Sequence, residues 1–187
     1  MKIPSLLLPA VVALAPLSAV AAEPLVMFDG GIGATAVSAA LAAPDPTGPI
    51  ATTVMRNIIR GVQPPNTPWT IADFQAEVTV DGHIRADGRG LVFAGGDTIG
   101  TAIGTSASGG AAVVSVFATL ICATVAPFTQ FSTEQVTGVP LDENGDFTID
   151  DVLSPLPLPV SNCAAPVLLI RNAGNKNWFA AGIQKFD

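Results

Sequence analysis

An all-β domain is what this sequence predicts, built as an antiparallel β-sandwich with one disulfide and at most one short helix. Three observations predict it. Apolar and polar residues alternate with a period of two on either side of glycine turns, the signature of half-buried strands. The chain carries 18 Gly and 16 Pro while only 12% of its residues are charged, a turn-rich composition that suits exported β proteins better than helical enzymes. Two cysteines, Cys122 and Cys163, come after an N-terminal export signal, so they reach a compartment where thiols pair.

Residues 1–22 read as a secretory signal peptide: Lys2, the apolar run IPSLLLPAVVALAPLSAV, then the small-residue site Ala19-Val20-Ala21 with cleavage before Ala22 or Glu23. A membrane span fits worse, because the run is short, holds Pro4, Pro9 and Pro16, and lacks a stop-transfer flank. Residues 23–187 then form one secreted domain, periplasmic or extracellular, with no membrane insertion after cleavage. Without Lys2 the mature net charge is 7 − 15 = −8 with His83 neutral. Such an acidic surface argues against nucleic acid and anionic membrane as partners.

The mature chain opens with an apolar strand, Leu25 to Phe28, and then a glycine-rich turn. Gly31-Ile32-Gly33-Ala34-Thr35-Ala36 matches G-x-G-x-x-A after a strand, the pattern that cradles a pyrophosphate in dinucleotide-binding domains. The acidic residue that should end a second strand about twenty positions on is missing, and Pro44-Asp45-Pro46 occupies that region. The glycines are therefore read as a turn between edge strands. Thr52 to Val62 is ambiguous between strand and short helix, since its apolar spacing is helical and its β-branched residues favour extension. The run Gln63-Pro64-Pro65-Asn66-Thr67-Pro68 forces an extended approach to the next strand.

Trp69 to Gly96 is the clearest hairpin. Phe74, Ala76, Val78 and Val80 alternate with Gln75, Glu77 and Thr79, and the parity changes after Asp81-Gly82. A two-residue loop would set Val78 against Arg85. A three-residue loop, Val80-Asp81-Gly82 with Gly82 left-handed, sets Val78 against Ile84 and Ala76 against Ala86, with Glu77 facing Arg85 and Asp73 facing Arg89 on the outer side. Cross-strand pairs of this kind contribute roughly 0.2–1 kcal/mol each, so burial of the apolar face supplies most of the stabilisation.

Beyond it, GGDTIGTAIGTSASGG reads as a surface loop whose serines lack the closing glycine of a nucleophile elbow. AAVVSVFATLIC is apolar on both faces, as a covered central strand would be, and TQFSTEQVT is an outer strand or connector. A second glycine turn, Glu143-Asn144-Gly145, is read as a hairpin with Leu141 opposite Phe147, Val139 opposite Ile149 and Asp142 opposite Asp146. SPLPLP is an extended connector, and PVLLIRN and WFAAGI are two apolar strands paired antiparallel in the sheet interior.

Chemistry-bearing residues are few. Cys122 and Cys163 pair into a disulfide closing a loop that contributes roughly 4 kcal/mol in the chain-entropy model; a nucleophilic thiol would need a neighbouring His, and His83 stands alone. Asp142, Asn144, Asp146 and Asp150 occupy positions 1, 3, 5 and 9 of a calcium loop. The match fails at Phe147, where a glycine is needed, and at Leu153, where an acid belongs. Hydrated acids at an exposed turn are the plainer reading, and calcium is the one cofactor the pattern admits. Trp69 and Trp178 read as core anchors rather than a sugar platform.

The stretches PWTIADFQAEVTVDGHIRADGRGLVFAGGDTIGT, VFATLIC, VPLDENGDFTIDDVL, CAAPVLLIRN and WFAAGI resemble a group of short exported bacterial proteins without assigned activity. The resemblance covers most of the mature chain apart from the Ala/Pro-rich segment Thr35 to Pro49. It implies one secreted β domain with paired cysteines and transfers no catalytic residue. The reading is therefore a secreted, non-enzymatic module of the cell envelope or extracellular space with a binding or structural role. Its rivals are a calcium module, a carboxylate-based hydrolase drawing on Asp142, Asp146, Asp150 and Asp151, and self-association through exposed strand edges.

Overall fold

A computed structural model describes residues 22–35, 37–38, 54–55, 57–105, 111–123, 125–158 and 163–186; the predicted leader and most of the Ala/Pro-rich segment lie outside them. Nine strands build one antiparallel sheet. They are β1 Pro24–Gly33, β2 Asp73–Thr79, β3 His83–Arg89, β4 Ser115–Cys122, β5 Thr129–Ser132, β6 Val139–Pro140, β7 Phe147–Val152, β8 Val167–Asn172 and β9 Trp178–Gln184. Their spatial order is β5-β4-β8-β9-β1-β2-β3-β7, with β6 added beside β4.

This is a nearly closed eight-stranded barrel, and it overturns the predicted sandwich. A sandwich needs two facing sheets, whereas here one sheet curls until its first and last edges meet. Ser132 N–H donates to Ser154 O and Ser154 N–H donates to Ser132 O, both at 2.8 Å, so the edge beyond β7 is tied to β5. Alternation along each strand is the same in both architectures; which edges meet is a non-local matter of twist and register.

The first hairpin has the predicted register, with Asp73↔Arg89, Ala76↔Ala86, Glu77↔Arg85 and Val78↔Ile84 and Gly82 at φ +90°. The C-terminal strands pair as expected, Leu169 with Ala181 and Ile170 with Ala180, and Cys122 and Cys163 form a disulfide. Strand β4 is the central strand, buried on both faces between β8 and the short pieces β5 and β6. The loop predicted after the hairpin contains Ile103–Thr105, which pairs with Ala111–Val113 in a small ribbon.

The second turn forms but its arms part. Val139 pairs with Val116 and Pro140 with Ser115, while Phe147 pairs with Gly88 and Ile149 with Ala86. The expected Val139–Ile149 ladder is replaced by two better-buried partners. Gly31 and Gly33, predicted as a turn, continue β1 past a bulge between Phe28 and Gly31. A Cβ on Gly33 would lie 2.1 Å from Trp69 O, so that glycine exists for close backbone packing.

No helix occurs among the described residues, which removes the short helix allowed for Thr52 to Val62. Val54–Met55 pairs with Val37–Ser38, residues 52–53 and 56 lie outside the description, and Ile59 and Val62 close a tight turn with both central residues at positive φ, Arg60 at 46° and Gly61 at 84°, the primed-turn pattern. This segment straps the barrel. Trp178 Nε1–H donates to Asn57 O and Trp178 N–H to Gln63 O, each at 2.9 Å. Arg60 donates to Ile121 O at 2.7 Å and also to Ala165 O, and burial lowers its pKa from the usual guanidinium value. Trp69, Trp178, Phe74 and Leu120 are among the largest fully buried side chains, each worth roughly 1.5–3 kcal/mol or more of burial.

Candidate functional site

Among the hollows lined by the described residues, two of contrasting chemistry stand out. The larger, about 720 Å³, lies over the outer face of β2, β3 and β7 beside the turn at Asp142–Asp146. Alternation puts charge there: Glu77, Arg85 and Asp150 stand abreast, as do Gln75, Asp87 and Thr148. Asp87 accepts from Thr148 Oγ1 at 2.8 Å and from Arg85 Nε at 3.3 Å. Arg85 thus pairs along its own strand, and its register neighbour Glu77 is not its salt-bridge partner. His83, at the start of β3, sets Nε2 2.7 Å from Asp150 Oδ1 on β7, both side chains about half exposed.

The four residues of the calcium pattern divide between these features. Asp142 Oδ1 accepts the N–H groups of Asn144 at 2.8 Å and Asp146 at 2.9 Å. Asp146 Oδ1 accepts Gly90 N–H at 2.9 Å. Each carboxylate caps different backbone donors, which removes the repulsion expected from placing them opposite one another. Asp142, Asn144 and Asp146 therefore share one turn, while Asp150 faces His83 across β3 and β7. Among the described residues no group of three or more His, Cys, Asp or Glu is arranged to hold a metal ion.

Between β7 and the residues joining β5 to β6 runs the barrel seam. Asp151 spans it, accepting Glu134 N–H at 3.1 Å and Val152 N–H at 2.7 Å. Glu134 in turn accepts the N–H groups of Val136, Thr137 and Gly138 and the hydroxyl of Thr137. The Thr137 hydroxyl, with those N–H groups after it, pulls this carboxyl down to about 2.

The second hollow, about 520 Å³, sits at one end of the barrel. Its floor is aromatic. Trp69 pairs with Phe93 in a short ribbon, their ring centroids 4.2 Å apart, and Trp69 stacks on Phe179 of β9 at 4.0 Å and 11°. Its rim is the turn between β8 and β9, where Asn172 Oδ1 accepts the N–H groups of Gly174 and Asn175 and Asn175 Oδ1 accepts that of Asn177. Among the described residues lining it, none is ionisable.

The sequence reading missed this cleft. Its signals were the asparagine-rich turn NAGNKN and the adjoining WF, but Phe93 is brought to them only by the pairing with Trp69. Both tryptophans are core anchors as expected, 2% and 1% exposed. Set against known protein families, curated proteins and solved structures, the chain matches none.

Proposed function

We propose that this chain is an exported, non-catalytic module of the cell envelope or extracellular space with a structural or binding role. The observation that carries it is the use of the acids. Asp87, Asp142, Asp146 and Asp151 each accept hydrogen bonds that join strands or close turns, so the carboxylates act as structural acceptors. A carboxylate hydrolase would instead hold one protonated and one ionised acid across a substrate cleft, about 5–10 Å apart.

Expression of the full chain in a bacterium, fractionation and mass spectrometry test this. The expected species starts at Ala22 or Glu23, lies outside the cytoplasm and shows no alkylation of Cys122 or Cys163 before reduction. An uncleaved cytoplasmic protein overturns it. So does turnover of a glycoside that Asp146→Ala or Asp150→Ala abolishes. Melting is expected to be equal with and without calcium; a calcium-dependent rise lost in those two variants establishes the calcium module instead.

A further inference from the structure

The contrast between the two hollows bears on ligand class. In an acidic chain, one large concavity is ringed by Asp73, Asp87, Asp142, Asp146, Arg85 and Arg89, whereas the cleft at the barrel end has no ionisable residue among its described lining. A charged ligand entering that cleft would give up hydration with no counter-charge among the described lining residues to replace it, the Lys176 ammonium behind the rim being bonded to Ala173 O. A wholly apolar ligand would cover the amide rim without answering its hydrogen bonds. What fits both surfaces is a neutral molecule with an apolar face and a hydroxyl edge.

The geometry points to a neutral saccharide as that ligand, a reading that rests on the binding role proposed above. Phe93, partly exposed, packs on Trp69, which is itself stacked on Phe179, so its ring is held rigid from behind, and Val113, 72% exposed, extends the apolar wall. Sugar C–H faces pack on such surfaces. Across from them, Asn172 and Asn175 spend their Oδ1 atoms on backbone N–H groups of the turn. That orientation is fixed by the turn itself and leaves their Nδ2 groups as donors, beside the hydroxyl of Ser115. The volume, about 520 Å³, lies within the roughly 300–1,000 Å³ of small-molecule sites, for which the mouth of a β-barrel is a preferred location.

The test titrates the mature, oxidised protein with neutral gluco-, manno- and galacto-oligosaccharides, monitored by tryptophan emission and ligand-observed NMR. At least one series is expected to saturate. Phe93→Ala should weaken it about five- to tenfold, the worth of a ring stack. Val113→Arg, at an exposed position that cannot unfold the barrel, should weaken it by a similar factor. Arg89→Ala in the charged hollow should leave it unchanged, as should raising salt from about 0.05 to about 0.5 M. No binding up to about 10 mM saccharide overturns the proposal, and so does binding that survives Val113→Arg but is lost with Arg89→Ala. If the protein is exported, cleaved and folded yet binds no neutral saccharide, the cleft assignment fails while the module reading stands. If it is not exported, the module reading fails independently of the titration.

Discussion

Two glycine turns with nearly the same chemistry end in different structures. Gly82 and Gly145 both sit at positive φ, +90° and +80°. Each comes after an aspartate whose Oδ1 accepts the backbone N–H two residues on, His83 for Asp81 and Asn144 for Asp142. The arms of the first zip together for six residue pairs, from Asp73↔Arg89 to Val78↔Ile84. Those of the second separate, one to β4 and the other to β3. A turn is thus a local decision, made by one glycine and one carboxylate. The partner of each arm is settled by what else can bury it. Phe147 has Gly88 opposite, and a Cβ there would stand 2.2 Å from Phe147 Cε1; that seat exists only when β7 lies against β3.

The largest break in this comparison is expected from the glycines themselves. A Cβ on Gly145 would meet backbone atoms of buried Leu91, its O at 2.3 Å and its N at 2.7 Å, and Leu91 N–H is bonded to Gly145 O. Gly145→Ala should cost about 3 kcal/mol or more, since backbone must move as well as adopt a strained φ. At Gly82 the nearest atom is Leu156 Cδ2 at 2.4 Å, the end of a half-exposed side chain that can turn away. Gly82→Ala should therefore cost only about 1–2 kcal/mol, the strain of the left-handed residue. Urea unfolding of both variants checks the difference; equal losses would mean that the second turn is no more deeply seated than the first.

A smaller effect separates the capping acids. Asp142→Ala removes the acceptor of two N–H groups and should lower stability by about 1 kcal/mol, with Asp142→Asn recovering most of it. Asp81→Ala, at a fully exposed tip, should be milder in the same unfolding series. A larger loss at Asp81 would reverse the ranking of the two turns.

The place where the second pair of arms separates has its own pH signature. Glu134 has its carboxyl drawn down to about 2 by the Thr137 hydroxyl and the neighbouring N–H groups. A lowered carboxyl contributes stability that is fully present above the usual glutamate range and is lost as pH falls through the folded value. The difference in Tm between the native protein and Glu134→Gln should be constant near neutrality, shrink below the usual glutamate range and vanish near pH 2. A difference that grows on acidification would show the opposite sign. Least of all is expected from the charged ladder of the first hairpin: Arg89→Ala should change stability by less than about 0.5 kcal/mol, as exposed charges do.

Legibility in the chain was a matter of range. The alternation around Asp81-Gly82 contained its own register, because a one-residue slip would have buried Arg85. With only two cysteines in the sequence, there was a single pairing to choose. The two C-terminal strands were close enough in sequence to find each other. The candidate cleft was not legible, because Phe93 and Asn172–Asn177 lie far apart in sequence and meet only through Trp69 and β9.

By itself, then, the sequence determined that this protein is all-β, where its first hairpin turns, and which thiols join. These are short-range choices between a residue and its near neighbours, or the choice of the one available partner. Only the tertiary structure decided that the sheet closes on itself through Ser132 and Ser154, that β7 leaves its hairpin for β3, and that one hollow is lined by charged residues while the described lining of the other has none. The physical reason is that edge closure and shared hollows depend on the accumulated twist of many strands, to which period-two patterning, identical in a sandwich and a barrel, is blind.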